Sequence, residues 1–466
     1  MNFMGKGQKN TEKKQRINDF VQLPLVNANA AGIDIGDTLH VVAVPEECCK
    51  GPNVRDFGTF TDDLFSIVEW LTECGITTVA MESTGIYWKN LGLLLIERGF
   101  EVYLVNARHT RNISGKKNDQ SDAQWIQKLH SCGLLKNCFL PDDQTDVLRT
   151  LVRQRRKLIR DSSTAVLRMQ KALELMNLKI HTLIRDLMGK TGKAMVEAIL
   201  SGERHAESFL PFVDCRIRAD RSAIVSSLKG NWREEQLFLL EQYYNQYMFF
   251  QAQLVQCEQR IEGQLQQMHA KTNDGVSEPE KEIKFTPTGR ILKQKKTKGQ
   301  PFFDTGSYLN GIHGIDVIDI YGLSEVSALE ILSETGTDLS KWPSAAHFAS
   351  WLNLCPNNKI SGGKLISSKL QRKKPNAASQ AFRMAAGGVQ KSGHLLGHFF
   401  RKMKSKGGYK YAVIATARKL ACIYYKMVTE KQSFNPLNSE EHLNKQKKAR
   451  IAAMEKALSA LRLQVA

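Results

Sequence analysis

The segment that most constrains the fold is residues 32–45, which read Gly-Ile-Asp-Ile-Gly-Asp-Thr-Leu-His-Val-Val-Ala-Val-Pro. β-Branched and apolar residues flank a glycine-containing turn, a pattern typical of two short antiparallel strands. Asp34 interrupts the first strand, and a buried carboxylate is costly unless it is paired or binds a metal. This segment alone leaves two interpretations open: a turn aspartate with a satisfied hydrogen bond, or a metal ligand on the first strand of a nuclease-type sheet.

The chain is strongly basic. Its 466 residues include 66 Lys and Arg against 47 Asp and Glu, which gives a formal net charge of +19. An excess of this size favours a polyanionic partner, and nucleic acid is the first candidate. An anionic membrane surface would also attract the charge, but no amphipathic basic helix is evident as an anchor.

The cysteines and the N-terminus indicate where the protein works. The 9 cysteines are scattered without a C-x-x-C pair, and Cys48 and Cys49 are adjacent, which is not a zinc-ligand spacing. This usage favours a reducing cytosol. Residues 1–22 are polar and Lys-rich, and no run is long enough to span a bilayer. The sequence therefore predicts a soluble intracellular protein that binds no membrane.

The hydrophobic pattern divides the chain into six segments. Strands alternate with helices in the second segment, which predicts a mixed sheet flanked by helices. Apolar residues at helical spacing in the third predict two long helices that form an antiparallel coiled-coil arm. Within the fifth segment, residues 353–371 are predicted to form a loop. The six segments are a flexible basic arm (1–30), an α/β domain (31–141), a helical coiled-coil region (142–270), a Lys-rich disordered insertion (271–306), a helical domain (307–430) and a C-terminal tail helix (431–466).

Four carboxylates are candidates for a metal site. Asp34 lies in the first strand, Glu82 ends a later strand, and Asp119 and Asp122 lie near a helix start. In an RNase H-like sheet the first and fourth strands are adjacent and the last helix packs across them, so the four carboxylates would converge. Hard oxygen ligands suit Mg²⁺ or Mn²⁺, and two such ions can activate a nucleophile and stabilise a leaving oxygen. The alternative for Asp119 and Asp122 is the ordinary preference of acidic residues for helix N-termini.

Residues 33–38 also fit the first phosphate loop of the actin-like ATPases and sugar kinases, which share this sheet topology. Those proteins need a second Asp-Gly phosphate loop and a Gly-rich adenosine segment. Neither is convincing here, because Asp304-Thr305-Gly306 lies in a polar insertion. The kinase interpretation is therefore the weaker one.

Several motifs together resemble the DEDD transposases of bacterial insertion sequences, in the IS-one-ten family and especially its IS-eleven-eleven branch. The resemblance covers residues 31–190 and 307–430. In the first half it rests on Gly-Ile-Asp-Ile-Gly at 32–36 with His40 following, Met-Glu-Ser-Thr-Gly-Ile-Tyr-Trp at 81–88, Val-Asn-Ala-Arg at 105–108 and Asn-Asp-Gln-Ser-Asp-Ala at 118–123. In the second half it rests on Leu-Ser-Glu at 332–334, Lys-Trp-Pro at 341–343, His-Phe-Ala-Ser-Trp-Leu at 347–352, Asn-Lys-Ile-Ser-Gly-Gly-Lys at 358–364 and Ser-Ser-Lys at 367–369.

This resemblance implies a RuvC-type, RNase H-like domain, a coiled coil and a helical transposase domain. It implies a Mg²⁺-dependent recombinase that cuts and joins DNA, with donor and target chosen by a structured guide RNA (a bridge or seek RNA) from the element's non-coding end. Family members work as dimers that pair into tetramers, in the bacterial cytoplasm at the nucleoid. Carried over by position, Ser361 would be the nucleophile that joins a DNA phosphate, and the metal would be bound by Asp34, Glu82, Asp119 and Asp122.

The serine is also chemically reasonable by itself. A free hydroxyl is a poor nucleophile that needs a base or a metal, and no histidine lies near Ser361 in sequence. Gly362 and Gly363 leave room for a DNA backbone. The alternative is a plain Ser-Gly-Gly turn. With water as the nucleophile the protein would be a structure-selective nuclease of the Holliday-junction type, and with inactive carboxylates it would be a non-catalytic nucleic-acid-binding protein.

Two basic clusters are candidates for nucleic-acid contacts, with a solvated charged face as the alternative for each. The first lies in the long helix that begins near residue 142, and the second follows the serine. Their members are Arg149, Arg153 and Arg156, and then Lys364, Lys369, Arg372, Lys373 and Lys374.

Overall fold

The computed structural model describes residues 24–83, 85–105, 119–272, 299–371 and 376–434, with isolated residues between 444 and 459. The chain divides into two compact units, Met1–Leu140 (unit 1) and Pro141–Ala466 (unit 2). The helical region and the helical domain predicted above therefore belong to one unit. Most of the Lys-rich insertion, the basic arm and the tail helix lie outside the described residues. Within the described part, no helix is long and apolar enough to cross a membrane.

Unit 1 is built on a five-stranded mixed sheet of order β3-β2-β1-β4-β5. β1 pairs antiparallel with β2 and parallel with β4, and β4 pairs parallel with β5. The expected adjacency of the first and fourth strands is confirmed, and the topology fits an RNase H-like domain. The elements are β1 (Ala30–Ile35), β2 (His40–Ala43), β3 (Val54–Phe57), α1 (Thr61–Glu73), β4 (Thr78–Glu82), α2 (Trp88–Glu97), β5 (Glu101–Val105) and α3 (Asp119–Ser131).

The two faces of this sheet are covered by different helices. Ile33 and Met81 on one face belong to the same buried cluster as Leu71 of α1 and Leu91 of α2. On the other face, Ala80 and Val105 pack with Ile126 and Leu129 of α3, and Val41 and Ala43 pack with Ala123. Each fully buried Leu or Ile side chain contributes roughly 1.5–3 kcal/mol. This burial on both faces explains why the parallel strands are apolar along most of their length.

Helix α3 approaches β1 closely because residue 32 is glycine. A Cβ atom at Gly32 would lie 2.2 Å from the backbone nitrogen of Gln127 and 2.5 Å from the carbonyl oxygen of Ala123. The Gln127 side chain also donates to the carbonyl of Ala30, 3.3 Å away. The middle of α3, from Ala123 to Gln127, is therefore held directly against the first strand.

Two long helices dominate the first part of unit 2. Asp142 caps α4 by accepting a hydrogen bond from the Thr145 amide at 2.9 Å. Gln264 of α8 donates to the carbonyl of Gln144 at 3.2 Å, and Gln251 donates to Ser162 at 2.8 Å. The two helices are therefore antiparallel, as expected, while a coiled-coil supercoil stays a prediction. The helices of this part are α4 (Asp143–Leu175), α5 (Ile180–Leu183), α6 (Lys190–Leu200), α7 (Arg221–Ser227) and α8 (Glu234–Thr272), with a 3-10 helix at Ala206–Phe212.

The second part of unit 2 is helical around buried aromatic side chains, with Phe382 and Tyr424 in an edge-to-face pair at 5.7 Å. The elements are α9 (Thr305–His313), α10 (Glu325–Thr335), α11 (Ala345–Trp351), β6 (Asn357–Ser361), β7 (Lys364–Lys369), α12 (Ala377–Gly388) and α13 (Leu395–Glu430), with 3-10 helices at Val317–Asp319 and Val389–Lys391. Helix α13 is kinked at Gly407 and Gly408, where Gly408 has φ 78°. The loop predicted over residues 353–371 is wrong, because β6 and β7 form an antiparallel hairpin there.

Candidate active site

Asp34 and Glu82 are neighbours at the carboxyl ends of two parallel strands. The last recorded pair between β1 and β4 is Ile33 opposite Met81, and both carboxylates follow by one residue. Adjacent strands lie about 4.8 Å apart. Because residues two apart share a face of the sheet, Asp34 lies on the side of Gly32 and Glu82 on the side of Ala80, which is the face that α3 covers. The sheet thus places two half-buried carboxylates side by side beneath a helix.

Helix α3 begins at Asp119 and contributes Asp122. Asp122 is half-buried and directly precedes Ala123, which packs against Val41 and Ala43 of β2. Since Val41 is the cross-strand partner of Asp34, the first turn of α3 lies over the strand that carries Asp34. The side chain of Asp119 lies outside the described residues.

A polar depression of about 250 Å³ lies at the β1–β2 turn and is lined by both Asp34 and Asp37. The turn closes with a hydrogen bond from the Gly36 amide to the carbonyl of Leu39 at 3.0 Å. Asp37 is exposed, and the sequence argument did not include it among the site residues. Its position could have identified it, because Asp37 lies two residues after Ile35, just beyond the carboxyl end of the strand that carries Asp34.

The donor set suits a hard divalent cation, although the described residues do not form a complete cage. Asp34, Glu82 and Asp122 offer carboxylate oxygens, which are the ligands that Mg²⁺ and Mn²⁺ prefer. Among the residues whose side chains the structure describes, no group of three or more His, Cys, Asp or Glu is arranged to hold a metal ion. Binding of metal by the four predicted carboxylates therefore stays a prediction.

One buried histidine of α3 is structural and lies at the end of the sheet away from the carboxylates, beside the first residue of β4. His130 of α3 is buried, its Nε2 lies 2.9 Å from the hydroxyl of Thr78, and its ring contacts that of Tyr103 at 4.6 Å between centroids. Burial lowers the pKa of His130 to about 4. At neutral pH the ring is uncharged, and its contacts secure the C-terminal half of α3 to the sheet.

Ser361 ends the first strand of the hairpin in unit 2. It is paired with Lys364, and the turn between them consists of Gly362 (φ 54°) and Gly363 (φ 74°). Two successive positive φ angles define a type I′ turn, which glycine adopts without strain. Because Ser361 and Lys364 are cross-strand partners, their side chains share one face, and both are exposed. The turn therefore presents a hydroxyl and an ammonium group together to the solvent.

The three arginines of α4 that were predicted to contact nucleic acid form ion pairs with carboxylates of α10. Arg153 forms a bidentate pair with Glu334 at 2.9 Å, Arg149 lies 3.4 Å from the same carboxylate, and Arg156 lies 3.1 Å from Glu330. Burial lowers the pKa of the Arg149 guanidinium even though Glu334 opposes the shift. These contacts join α4 to α10 within unit 2, and a further contact of the three arginines with nucleic acid stays a prediction.

The second basic cluster is only partly described. Lys364 and Lys369 lie on β7 and are exposed, which leaves both available to a phosphate. Residues 372–374, which include the remaining predicted cations, lie outside the described residues.

Comparison with known protein families gives two matches, one that covers most of unit 1 and the start of unit 2 and one that lies within unit 2. A model for DEDD transposases of the IS110 type, described as a transposase, matches residues 31–178, which include the carboxylate site. A model described as the IS116/IS110/IS902 family of transposases matches residues 317–394, which include the Ser361 hairpin. No curated protein matches the chain.

Proposed function

Because the chain belongs to the IS110 family of transposases, we propose that it cuts and rejoins DNA by metal-dependent phosphoryl transfer through a phosphoserine at Ser361. The observation that carries this proposal is the parallel register that sets Asp34 beside Glu82 under α3. Adjacent strands lie about 4.8 Å apart, so the two carboxylates are close enough to share one divalent cation. A nuclease-type reaction on DNA uses such a cation.

In this proposal Asp34, Glu82, Asp119 and Asp122 hold Mg²⁺ or Mn²⁺. A divalent ion held there would offset charge on the phosphate and lower the pKa of a coordinated hydroxyl. The protein's own contribution is geometric: β1 and β4 fix two carboxylates by hydrogen-bonded pairing, and α3 brings the other two from above. Packing of Gly32 against Gln127 supports this role, because it lets α3 lie directly on the strand that carries Asp34.

The hairpin supplies the nucleophile. The Ser361 hydroxyl loses its proton, its Oγ bonds to phosphorus, and the bond from phosphorus to the leaving sugar oxygen breaks as that oxygen takes up a proton. Attack by a DNA hydroxyl on the phosphoserine reverses these changes and restores the serine. Lys364 shares the face of Ser361, and its ammonium group contacts a phosphate oxygen. The Gly-Gly turn lets the DNA backbone approach without meeting a side chain.

Donor and target DNA are selected, we further propose, by a guide RNA encoded by the element, and the protein acts as a dimer that pairs into a tetramer. The net charge of +19 supports binding of more than one polyanion. The motifs shared with the guide-directed branch support the RNA component.

The decisive experiment is a search for a protein–DNA adduct that survives denaturation. Purified protein is mixed with Mg²⁺ and labelled donor DNA and analysed by denaturing electrophoresis and peptide mapping. The wild type should give an adduct at Ser361, and Ser361→Ala should give none while still binding DNA. Ser368→Ala is the matched control, because Ser368 lies on the same hairpin, donates to Asn358 at 2.8 Å and should be dispensable for the adduct.

The alternatives give different results. Cleavage by Ser361→Ala without any adduct would identify a nuclease that uses water. An adduct that maps to Ser367 or Ser368 would move the nucleophile within the hairpin. Normal strand joining by Ser361→Ala would refute the phosphoserine mechanism.

A further inference from the structure

One long stretch of unit 2 contains no acidic residue. Between Asp338 and Glu430 there is no Asp or Glu, whereas residues 339–429 contain 17 Lys and Arg. The stretch therefore carries most of the formal excess of +19 in the whole chain. Internal ion pairs cannot neutralise these charges from within the stretch, so its surface keeps a positive field that attracts polyanions.

Three of these cations surround one depression. It has a volume of about 390 Å³ and lies between the 3-10 helix Val389–Lys391 and the second and third turns of α13. Phe400, which is fully buried, forms its apolar floor. The side chains of Lys391, Arg401 and Lys404 line it and are exposed. The depression is thus concave and bordered by positive charge.

Arg401 is held in position by the main chain. Its Nη1 donates to the carbonyl of Gln390 at 2.9 Å and to the carbonyl of Ser392 at 2.8 Å. These two bonds use one nitrogen of the guanidinium, which has five N–H donors in a planar fork. The edge formed by Nε and Nη2 can therefore meet two oxygens of a phosphate, the bidentate geometry that guanidinium groups favour.

The backbone beneath the depression is fixed by close packing. A Cβ at Gly397 would lie 2.3 Å from the carbonyl oxygen of Ser392, so α13 rests directly on the segment whose carbonyls hold Arg401. A guanidinium that is oriented before binding loses less conformational entropy when a ligand arrives.

We propose that this depression, which we call the Arg401 pocket (Lys391, Arg401 and Lys404 over Phe400), binds one backbone phosphate of duplex DNA. The inference rests on the proposed function for the choice of DNA over RNA. Helix α12 has 12 residues, about 18 Å, and leads from the segment that follows the Ser361 hairpin to the 3-10 helix of the pocket. In this proposal a duplex joined at Ser361 extends to the pocket, which holds it for strand joining.

The test measures binding of a fluorescent DNA duplex by anisotropy over a range of salt concentrations, in EDTA so that no strand is cut. Lys391→Ala and Lys404→Ala should each weaken binding, by up to roughly tenfold near 0.1 M salt, and flatten the slope of log K against log salt by less than the roughly 0.9 of one complete phosphate contact. Because both lysines meet one phosphate, the double variant should flatten the slope by no more than about 0.9.

The matched control is Lys402→Ala. Lys402 is exposed on the same helix beside Arg401 but does not line the pocket, so its loss should change binding much less. Arg401→Lys keeps the positive charge but removes the planar guanidinium group. Its affinity for the duplex should lie between those of the wild type and Lys404→Ala. Circular dichroism and thermal melting verify the fold of each variant.

Three results would overturn the inference. An effect of Lys402→Ala equal to that of Lys404→Ala would indicate diffuse attraction without a site. A slope change in the double variant well above about 0.9 would mean that the two lysines meet separate phosphates. Loss of guide RNA binding with unchanged DNA binding would assign the pocket to RNA. This outcome is independent of the adduct assay. If the pocket does not bind DNA, the Ser361 adduct should still form. If no adduct forms, the salt dependence of DNA binding can still be interpreted.

Discussion

Arg155 and Glu258 form a buried ion pair that should determine the stability of unit 2. The two side chains are 3% and 6% exposed and lie 2.8 Å apart, between α4 and α8. Glu258 also accepts the Phe302 amide at 3.0 Å, and Arg155 donates to the carbonyl of Gly299. The pair therefore ties both long helices to the segment that follows residue 298.

Removal of one partner leaves the other charge buried and uncompensated. Breaking such a pair costs about 3–5 kcal/mol, a large share of the roughly 5–15 kcal/mol typical of a folded domain. We therefore expect Arg155→Ala to lower the free energy of unfolding by about 3–5 kcal/mol. The neighbouring Arg156 pairs with Glu330, with side chains 40% and 14% exposed, so Arg156→Ala should cost about 1 kcal/mol or less.

Urea denaturation followed by circular dichroism at about 222 nm measures both effects, because α4 and α8 contribute much of the helical signal. The double variant Arg155→Met, Glu258→Gln removes both charges, while the amide oxygen introduced at position 258 remains an acceptor for the Phe302 amide. It should regain most of the stability that Arg155→Ala loses. If Arg155→Ala were no more destabilising than Arg156→Ala, or if the double variant were no more stable than Arg155→Ala, the buried pair would not be the cause.

Three further predictions concern the site, the RNA and the pH dependence. Asp34→Asn and Asp122→Asn should each abolish metal-dependent DNA cleavage in a gel assay with the fold intact, and full activity of either would place the site elsewhere. The purified protein should carry a discrete RNA whose binding weakens steeply as the salt concentration rises. The guide-RNA hypothesis would be refuted if sequencing of the bound RNA gave only random fragments and RNase treatment left recombination unaffected. Burial lowers the pKa of His313 to about 4 while the unfolded chain keeps about 6.5, so its contribution to stability is complete above about pH 6.5 and declines between about 6.5 and 4. Urea midpoints at about pH 7.5 and pH 5 measure this decline, which should be smaller in His313→Gln.

The sheet of unit 1 could be predicted because its signals are local. Apolar strands bounded by glycine, and a carboxylate at the end of two of them, are readable from a few residues each. The adjacency of β1 and β4, which brings Asp34 beside Glu82, follows from the order of elements. Metal binding could not be settled in the same way, because it depends on the position of Asp119 at the start of α3, beyond what strand pairing fixes.

The strands of the Ser361 hairpin carry no hydrophobic alternation because both faces are largely exposed. The Gly362-Gly363 pair, which favours a two-residue hairpin turn, was the one local signal for it. The ion pairs of the α4 arginines could not be predicted from the sequence for another reason. Their partners Glu330 and Glu334 follow more than 170 residues later in the chain, and a cluster of positive charge looks the same whether it faces a carboxylate or a phosphate. Long-range pairing decides between those interpretations, and helical periodicity carries no information about it.

Gly32 determines how closely α3 approaches β1, although its side chain is a single hydrogen atom. It offers no functional group, yet it sets the separation between the strand that carries Asp34 and the helix that carries Asp122. Coordination bonds to Mg²⁺ are about 2.0–2.1 Å long and tolerate little change, whereas a single methyl group at position 32 would push the helix away from the strand. In the proposed metal site, the distance between Asp34 and Asp122 is thus set by the absence of a side chain at position 32.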